Sequence, residues 1–521
     1  MKELSFPAKL ALAMLLLFMI VNFITTLSPP IARDALKYHL FLPKNYCLHH
    51  SIAPVPGNIY SFFPQFTEML YTFCLALAND YSAHLIHYYF GILTLFSICA
   101  LVKKNSSAER AIFVGLIFYS MPIVSQLSGW AYVDLVLLFY IFTGLVLFFE
   151  ALENKNSFLL LISAIPFGIS LGIKYLALFP ILVISMILWA GYLFSSPDKR
   201  TFPFKTLFIF FTLIFAIASP WYIRNILLVK NPFFPFFSSI FGVKGWEAES
   251  ALMYDTLLRT YGAGTHLKDL LLAPFRLSNY GTSFKYFDGV IGAGCLVFLL
   301  LLPFKKPRKR KIVYLLICSL CLFFLWFYSS QQSRFLLPAV AIACVSFYSI
   351  FEHRVLGIIA AGLVITIALF NIFFVVSNPL FKKTFSFIVR TPDRDTFLLE
   401  NLYNYAPIKY INDQLPDNSK TYFILVGNIG YYVDKPFVQE SVFEDRLFRK
   451  VVTTSNSPDE IYDNFTKQGI THLLINENMA AKYLYPDIPP EKIKQFKDFS
   501  SKSLDIMYRK NSFSLYRIKP Q

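Results

Sequence analysis

From near its start to position 377 the chain is divided by apolar runs, each about the 20 residues that one helix needs to cross a bilayer. They cover 8–28, 83–102, 110–128, 132–151, 157–174, 176–194, 205–223, 287–304, 312–329, 335–351 and 355–377. Backbone amides in hydrocarbon must be satisfied within the segment itself, so runs of this kind are expected to be helices. The stretch 157–194 decides the count. It is about twice the length of one span and holds a single charge, Lys174, near its middle. A lone ammonium in mid-membrane costs several kcal/mol. Two helices with Lys174 at the turn between them are therefore expected, and the chain reads as eleven spans.

Composition agrees with a membrane chain. Of 521 residues 56% are hydrophobic and 15% charged, too little charge for a soluble protein of this length. Phe and Tyr are heavily used, at 57 and 31, which suits lipid-facing packing and interfacial belts. A net charge of +16 would suit nucleic acid, but much of the excess sits in short loops between apolar runs, where the positive-inside rule accounts for it. No nucleic-acid partner is expected. Six of the seven cysteines lie in or beside apolar runs and only Cys47 falls in a polar loop, so neither a zinc site nor a disulfide framework is indicated. The first run lacks a small-x-small cleavage site and reads as a retained anchor.

Loop charge orients the spans. From a cytoplasmic N-terminus, the inner loops are LVKKNSSAER, ENKNS, SSPDKRTFPFK, PFKKPRKRK and FEHR, each with Lys or Arg. The cluster KKPRKRK at 305–311 is the strongest such signal. One pair runs against the rule: Lys382-Lys383 falls just outside the last span. The expected fold is a multi-span all-α bundle over 1–377 with a C-terminal extracytoplasmic α/β domain over 378–521. The regions 29–82 and 224–286 are then external loops of the bundle.

The C-terminal region carries its own pattern. KTYFILVGN (420–428) and ITHLLINEN (470–478) read as strands. SPDEIYDNFTKQG (457–469) opens on a capping signal and closes at Gly. LDIMYRKNSFSLYRI (504–518) reads as a closing hairpin. No catalytic constellation appears there. No internal repeat is visible, which weighs against a transporter built from two related halves.

The loop 29–82 is too apolar to be an ordinary solvated connection. ALKYHLFLPK and FFPQFTEMLYTFCLALA read as short helices along the interface, separated by Pro- and Gly-rich SIAPVPGNIY. Asp34 opens the first, Glu68 lies in the second, and Asp134 starts the fourth span after GWAY. Asp34 and Asp134 also suit plain helix caps, and Glu68 a structural ion pair. On the same face lie Arg33, Lys37, Lys174, Arg224 and Arg334. Snorkelling to headgroups is the plain reading of Lys174 and Arg334. Together, cations and carboxylates at one membrane face suit a phosphate-bearing lipid substrate and an incoming nucleophile, the cations holding phosphate and an Asp taking the proton.

IARDALKYHLFLPK, PQFTEMLY, YVDL, GIKYLAL, SPWYIRNILLVKNPFFPF and QQSRFLLPA, with GNIGYYVDKP and GITHLLIN in the external domain, resemble the polyprenyl-phosphate-sugar-dependent glycosyltransferases of the GT-C fold. That group includes the protein O-mannosyltransferases and the aminoarabinose transferases. The resemblance spans essentially the whole chain and rests on the order and placement of motifs. Many relatives have Asp-Glu in the first external loop, whereas Asp34 is followed here by Ala35.

The resemblance implies a transferase of the bacterial inner membrane that moves a sugar from a polyprenyl-phosphate donor to a glycan, lipid or protein acceptor on the periplasmic face. Asp34 would be the general base. Arg334, Lys174, Arg224 and Lys37 would hold the donor phosphate. Asp134, Glu68, His39 and Tyr38 would orient the acceptor or support the site. Some members of the wider fold need a divalent metal and others do not, so no cofactor is assigned. The competing readings are a transporter or flippase of a lipid-linked saccharide, an O-antigen ligase or polymerase, and a non-enzymatic assembly protein.

Overall fold

The computed structural model describes residues 4–520 apart from 195, 197–199, 243–247, 306, 308, 391–392 and 441–445. Contacts divide the chain into two compact units. The first holds 1–28, 62–70 and 81–389, and the second holds 29–61, 71–80 and 390–521.

Every one of the eleven apolar runs carries a helix. Among the described residues eight are long and apolar enough to cross a membrane: Phe6–Thr25, Asp80–Asn105, Asp134–Asn154, Tyr175–Leu193, Phe204–Val229, Arg310–Phe327, Ser333–Glu352 and Arg354–Ser377. The run 110–128 is instead a pair, Ala108–Tyr119 and Pro122–Ser128, bent by 72°. Pro122 explains the bend, because proline pushes the residue before it out of the α region and Met121 is extended, with ψ of 130°. Two runs carry shorter apolar helices, Ser157–Leu171 and Ala293–Phe304. The chain is a multi-pass membrane protein.

The stretch 157–194 breaks at Lys174, which is extended between Ser157–Leu171 and the turn Tyr175–Ala177. Gly172 fits this break because nothing larger would. A Cβ there would lie 2.2 Å from the Phe66 ring, and the Phe66 amide donates to the Gly172 carbonyl at 2.9 Å. The break thus seats the start of the helix Phe66–Leu77. Elsewhere in this unit Glu150 accepts from Lys104 and Lys311. Lys311 belongs to the 305–311 cluster and is buried in this pair. Lys306 and Arg308 of that cluster, and residues 195 and 197–199 of the loop before Arg200, lie outside the described residues.

The second unit is built on a five-stranded sheet of β1 (Thr421–Ile424), β2 (Phe437–Val438), β3 (His472–Asn476), β4 (Leu504–Lys510) and β5 (Phe513–Ile518). The order is β2-β1-β3-β5-β4, with β2, β1 and β3 parallel and β3, β5 and β4 antiparallel. Asn511 and Ser512 turn the final hairpin, both at positive φ, the two-residue geometry that matches strand twist. The expected capped helix is Pro458–Thr466, where Ser457 accepts from the Glu460 amide. It packs on the core of Tyr422, Phe448, Phe465, Leu473 and Phe499.

Residues 29–61 and 71–80, read from sequence as loop of the membrane domain, cluster instead with this sheet domain. The reason is a set of polar anchors. Lys44 Nζ donates to the carbonyls of Tyr431 and Val433 at 2.9 Å each and pairs with Asp434 at 2.7 Å. The Tyr432 hydroxyl donates to the Pro30 carbonyl at 2.7 Å. Both short helices expected in this loop form, as a π-turn Ala35–His39 leading into Phe41–His49, and as Phe66–Leu77.

Candidate active site

In the first unit three residues from three separate helix ends converge. Asp134 is the first residue of Asp134–Asn154, a position where the helix dipole favours an anion. Lys174 Nζ donates to its Oδ1 at 2.9 Å, and Arg334 Nη1 lies 3.9 Å from Oδ2. The side chains are 1%, 15% and 10% exposed, so these charges sit largely out of water, where removing one partner costs far more than at a surface. Aromatic faces support the cations. Lys174 Nζ lies 4.1 Å from the centre of the Phe335 ring, and the Arg334 guanidinium 5.1 Å from that of Tyr132. Gln332 Oε1 accepts from Arg334 Nε at 2.9 Å, fixing the plane of the guanidinium. Asp134 Oδ2 is buried and accepts no hydrogen bond among the described residues.

His87 positions this group. Its Nε2 accepts from the Leu135 amide at 2.9 Å, and its Nδ1 donates to the Leu127 carbonyl at 2.8 Å. The ring is thereby fixed as the Nδ1–H tautomer and ties the helix start at Asp134 to the end of Pro122–Ser128. Elsewhere in the unit Asn225 Nδ2 donates to the Phe62 carbonyl at 2.7 Å, and the Tyr175 hydroxyl to the Phe234 carbonyl at 3.1 Å. Arg224 lies over Trp221 at 5.1 Å, and Glu68 is buried in the first turn of its helix.

The second unit holds the other candidates. Asp34 immediately precedes the π-turn, and Tyr38 donates to its Oδ2 across a long 3.4 Å. Tyr38 stacks on Tyr60 at 4.4 Å, His39 sits 4.0 Å from Tyr38, and Lys37 Nζ lies 5.1 Å above Tyr60. Asn58 clamps the turn by donating to the Lys37 carbonyl at 3.0 Å. Arg33 is exposed.

A fourth carboxylate, missed from sequence, is Asp80. It is buried, held by both ends of the Arg394 guanidinium, and accepts from the Tyr431 hydroxyl at 3.1 Å. Burial works against the Arg394 cation, but its hydrogen bonds to Asp80 outweigh that and hold its pKa above the usual range. Burial, then the Asp80 charge, pushes the Tyr431 phenol up. Among the described residues no three His, Cys, Asp or Glu are grouped to hold a metal ion.

A family profile described as "Domain of unknown function (DUF8201)" matches residues 59–341, just over half of the chain. The chain belongs to the DUF8201 family. The matched span includes Glu68, Asp134, Lys174, Arg224 and Arg334 of this DUF8201 member, and leaves Asp34, Lys37, Tyr38 and His39 outside. No curated protein matches the chain. Among solved structures, ArnT from Cupriavidus metallidurans bound to undecaprenyl phosphate is similar at TM-score 0.58 and 12% identity, covering 98% of this chain and 99% of that one. The apo state of the same protein gives 0.56 and 11%, over 98% and 99%. The Archaeoglobus fulgidus oligosaccharyltransferase complexed with Zn and sulfate gives 0.53 and 12%, over 97% of this chain and 73% of that one. The DUF8201 chain therefore has the GT-C fold expected from its sequence motifs.

Proposed function

We propose that the chain is a membrane glycosyltransferase, moving a sugar from a polyprenyl-phosphate donor to a glycan, lipid or protein acceptor on the outer face of the inner membrane. The observation that carries this reading is the buried Asp134–Lys174–Arg334 group on a fold shared with a protein solved with undecaprenyl phosphate. Two cations on one carboxylate leave a net positive charge that a lipid phosphate would complement. Asp134 Oδ2 lies 3.9 Å from Arg334 Nη1 but accepts no hydrogen bond among the described residues, and a sugar hydroxyl would supply one.

In the reaction, an acceptor oxygen or nitrogen bonds to the anomeric carbon as the bond from that carbon to the phosphate oxygen breaks. The bonding pair leaves with the lipid phosphate, and the acceptor proton passes to Asp34. A single displacement of this kind inverts the anomeric centre. Lys174 and Arg334 stabilise the charge that grows on the leaving phosphate, where fixed cations contribute most. Arg224 and Lys37 are further candidates for that role, and Glu68, Tyr38 and His39 for acceptor orientation.

The test is sugar transfer in purified membranes. Asp34→Asn is expected to abolish transfer while expression and donor binding persist, and full activity would remove Asp34 from the chemistry. Mass spectrometry of lipids and glycans from cells lacking the chain identifies the sugar and its acceptor together. A transporter would leave the transfer product intact when donor is supplied on the outer side.

A further inference from the structure

The pair Lys382-Lys383, which opposes the loop-charge rule, lies on the helix Pro379–Arg390. That helix starts two residues after the span Arg354–Ser377 ends. It is fixed a second time at the end of the first span, because Thr384 is buried against Ser28, their hydroxyls 2.9 Å apart. Two spans thus finish beside it, which puts it at the membrane boundary. Its faces are sharply divided. On a helical projection Lys382, Lys383, Ser386 and Arg390 share one side, and Phe381, Phe385, Ile388 and Val389 the other. The helix has three basic residues and no acidic one. Phe385 and Val389 are 50% and 64% exposed, and Lys382 and Lys383 are exposed.

We infer that Pro379–Arg390 lies in the bilayer interface and binds anionic phospholipid, its Phe385–Val389 side in the acyl boundary and its basic side on headgroup phosphates. A helix with an apolar face, a basic polar face and little net hydrophobicity takes that position. Each basic residue near an anionic surface contributes roughly a fivefold preference over a neutral one. The chain can also carry two lysines outside its last span without reversing orientation, since these lysines are satisfied at the headgroups of that leaflet. The inference does not depend on sugar transfer.

The test uses the full chain in lipid nanodiscs, with 4-trifluoromethylphenylalanine replacing Phe385 as a fluorine NMR probe. Spin-labelled phosphatidylglycerol is expected to broaden the probe signal several-fold more than spin-labelled phosphatidylcholine at equal mole fraction. In K382Q/K383Q/R390Q that preference is expected to vanish while both lipids still reach the probe. Equal broadening by the two lipids in the unmodified helix would overturn the headgroup assignment. No broadening by either would overturn the interfacial position, as would broadening only from a second, spin-labelled copy of the chain. A response to polyprenyl phosphate but not to phosphatidylglycerol would make the helix a donor site and overturn the inference as stated.

Discussion

Replacing Asp134 by Asn should make the protein less stable and, at the same time, a tighter binder of lipid phosphate. The substitution keeps side-chain volume and leaves an oxygen for Lys174, but removes the charge shared with Arg334. Both cations are mostly buried, and breaking a buried pair from one side costs about 3–5 kcal/mol. Because the amide still accepts a hydrogen bond, the loss should fall near the lower end, about 3 kcal/mol. For an anion some 6 Å away, deleting one negative charge is worth about 1–3 kcal/mol at an effective dielectric of roughly 20–40, or tenfold to a hundredfold in affinity. Thermal inactivation in detergent reads the first effect and titration with undecaprenyl phosphate the second. A variant that loses stability without gaining affinity would show the cations to be structural and refute their role as a phosphate seat. A variant unchanged in both would show that the carboxylate does not hold the cations at all.

Arg334→Ala should slow turnover by a factor of about 10² to 10³, the scale of one lost charge-stabilising donor, with the far-ultraviolet helix signal retained. Unchanged donor kinetics would make Arg334 a headgroup anchor. His87→Ala removes two buried hydrogen bonds and should cost about 2–4 kcal/mol, with slower turnover because Asp134 shifts. His87→Gln should recover part of both, and recovery of neither would sink the tautomer argument. Asp80→Ala removes the carboxylate that holds Arg394, whose side chain is 40% exposed, and should destabilise by about 1–3 kcal/mol, seen as earlier proteolysis within 390–521. For His472, burial, then the cross-strand Arg517, lowers the pKa from 6.5 to about 4. The unfolded chain therefore binds more protons between those values, so stability is full above pH 6.5 and falls as pH drops toward 4. The loss is about 1–2 kcal/mol after solvent screening. His472→Gln should flatten that slope in a pH series of unfolding curves.

Much of the fold was legible because hydrophobic length and turn chemistry are local. Lys174 announced the break in 157–194, since a lone ammonium cannot sit inside one apolar helix. Ser457 and Glu460, like the Asn511-Ser512 turn, wrote their elements into a few adjacent residues. The bend at Pro122 was written just as locally and was passed over because the run around it is continuously apolar. Pairing was not legible. Asp80 and Arg394 are 314 positions apart, and nothing near either names the other. His87 stands on an apolar stretch and looks like a core residue until its two ring nitrogens are seen to bridge Leu127 and Leu135. The division of the loop 29–82 between the two units follows from Lys44 and Tyr432, whose contacts span 387 and 402 positions.

Asp134 also shows how two like charges can be held side by side at a helix end. Lys174 and Arg334 approach the same aromatic ring, Phe335, and like charges at that spacing repel in a site with little water. A carboxylate at a helix N-terminus, seated by His87, draws both inward and leaves a single positive charge over. On the proposed function, an arriving phosphate would meet donors already oriented and partly stripped of solvent, so little reorganisation would remain when charge develops on the leaving group. A second carboxylate in that place would cancel the surplus charge and with it the attraction for phosphate. Tyr132→Glu should therefore weaken undecaprenyl phosphate binding at least tenfold, whereas Tyr132→Phe, which keeps the ring under Arg334, should leave it within about twofold. Equal binding by the two variants would mean that net charge at this site does not govern recognition of the lipid.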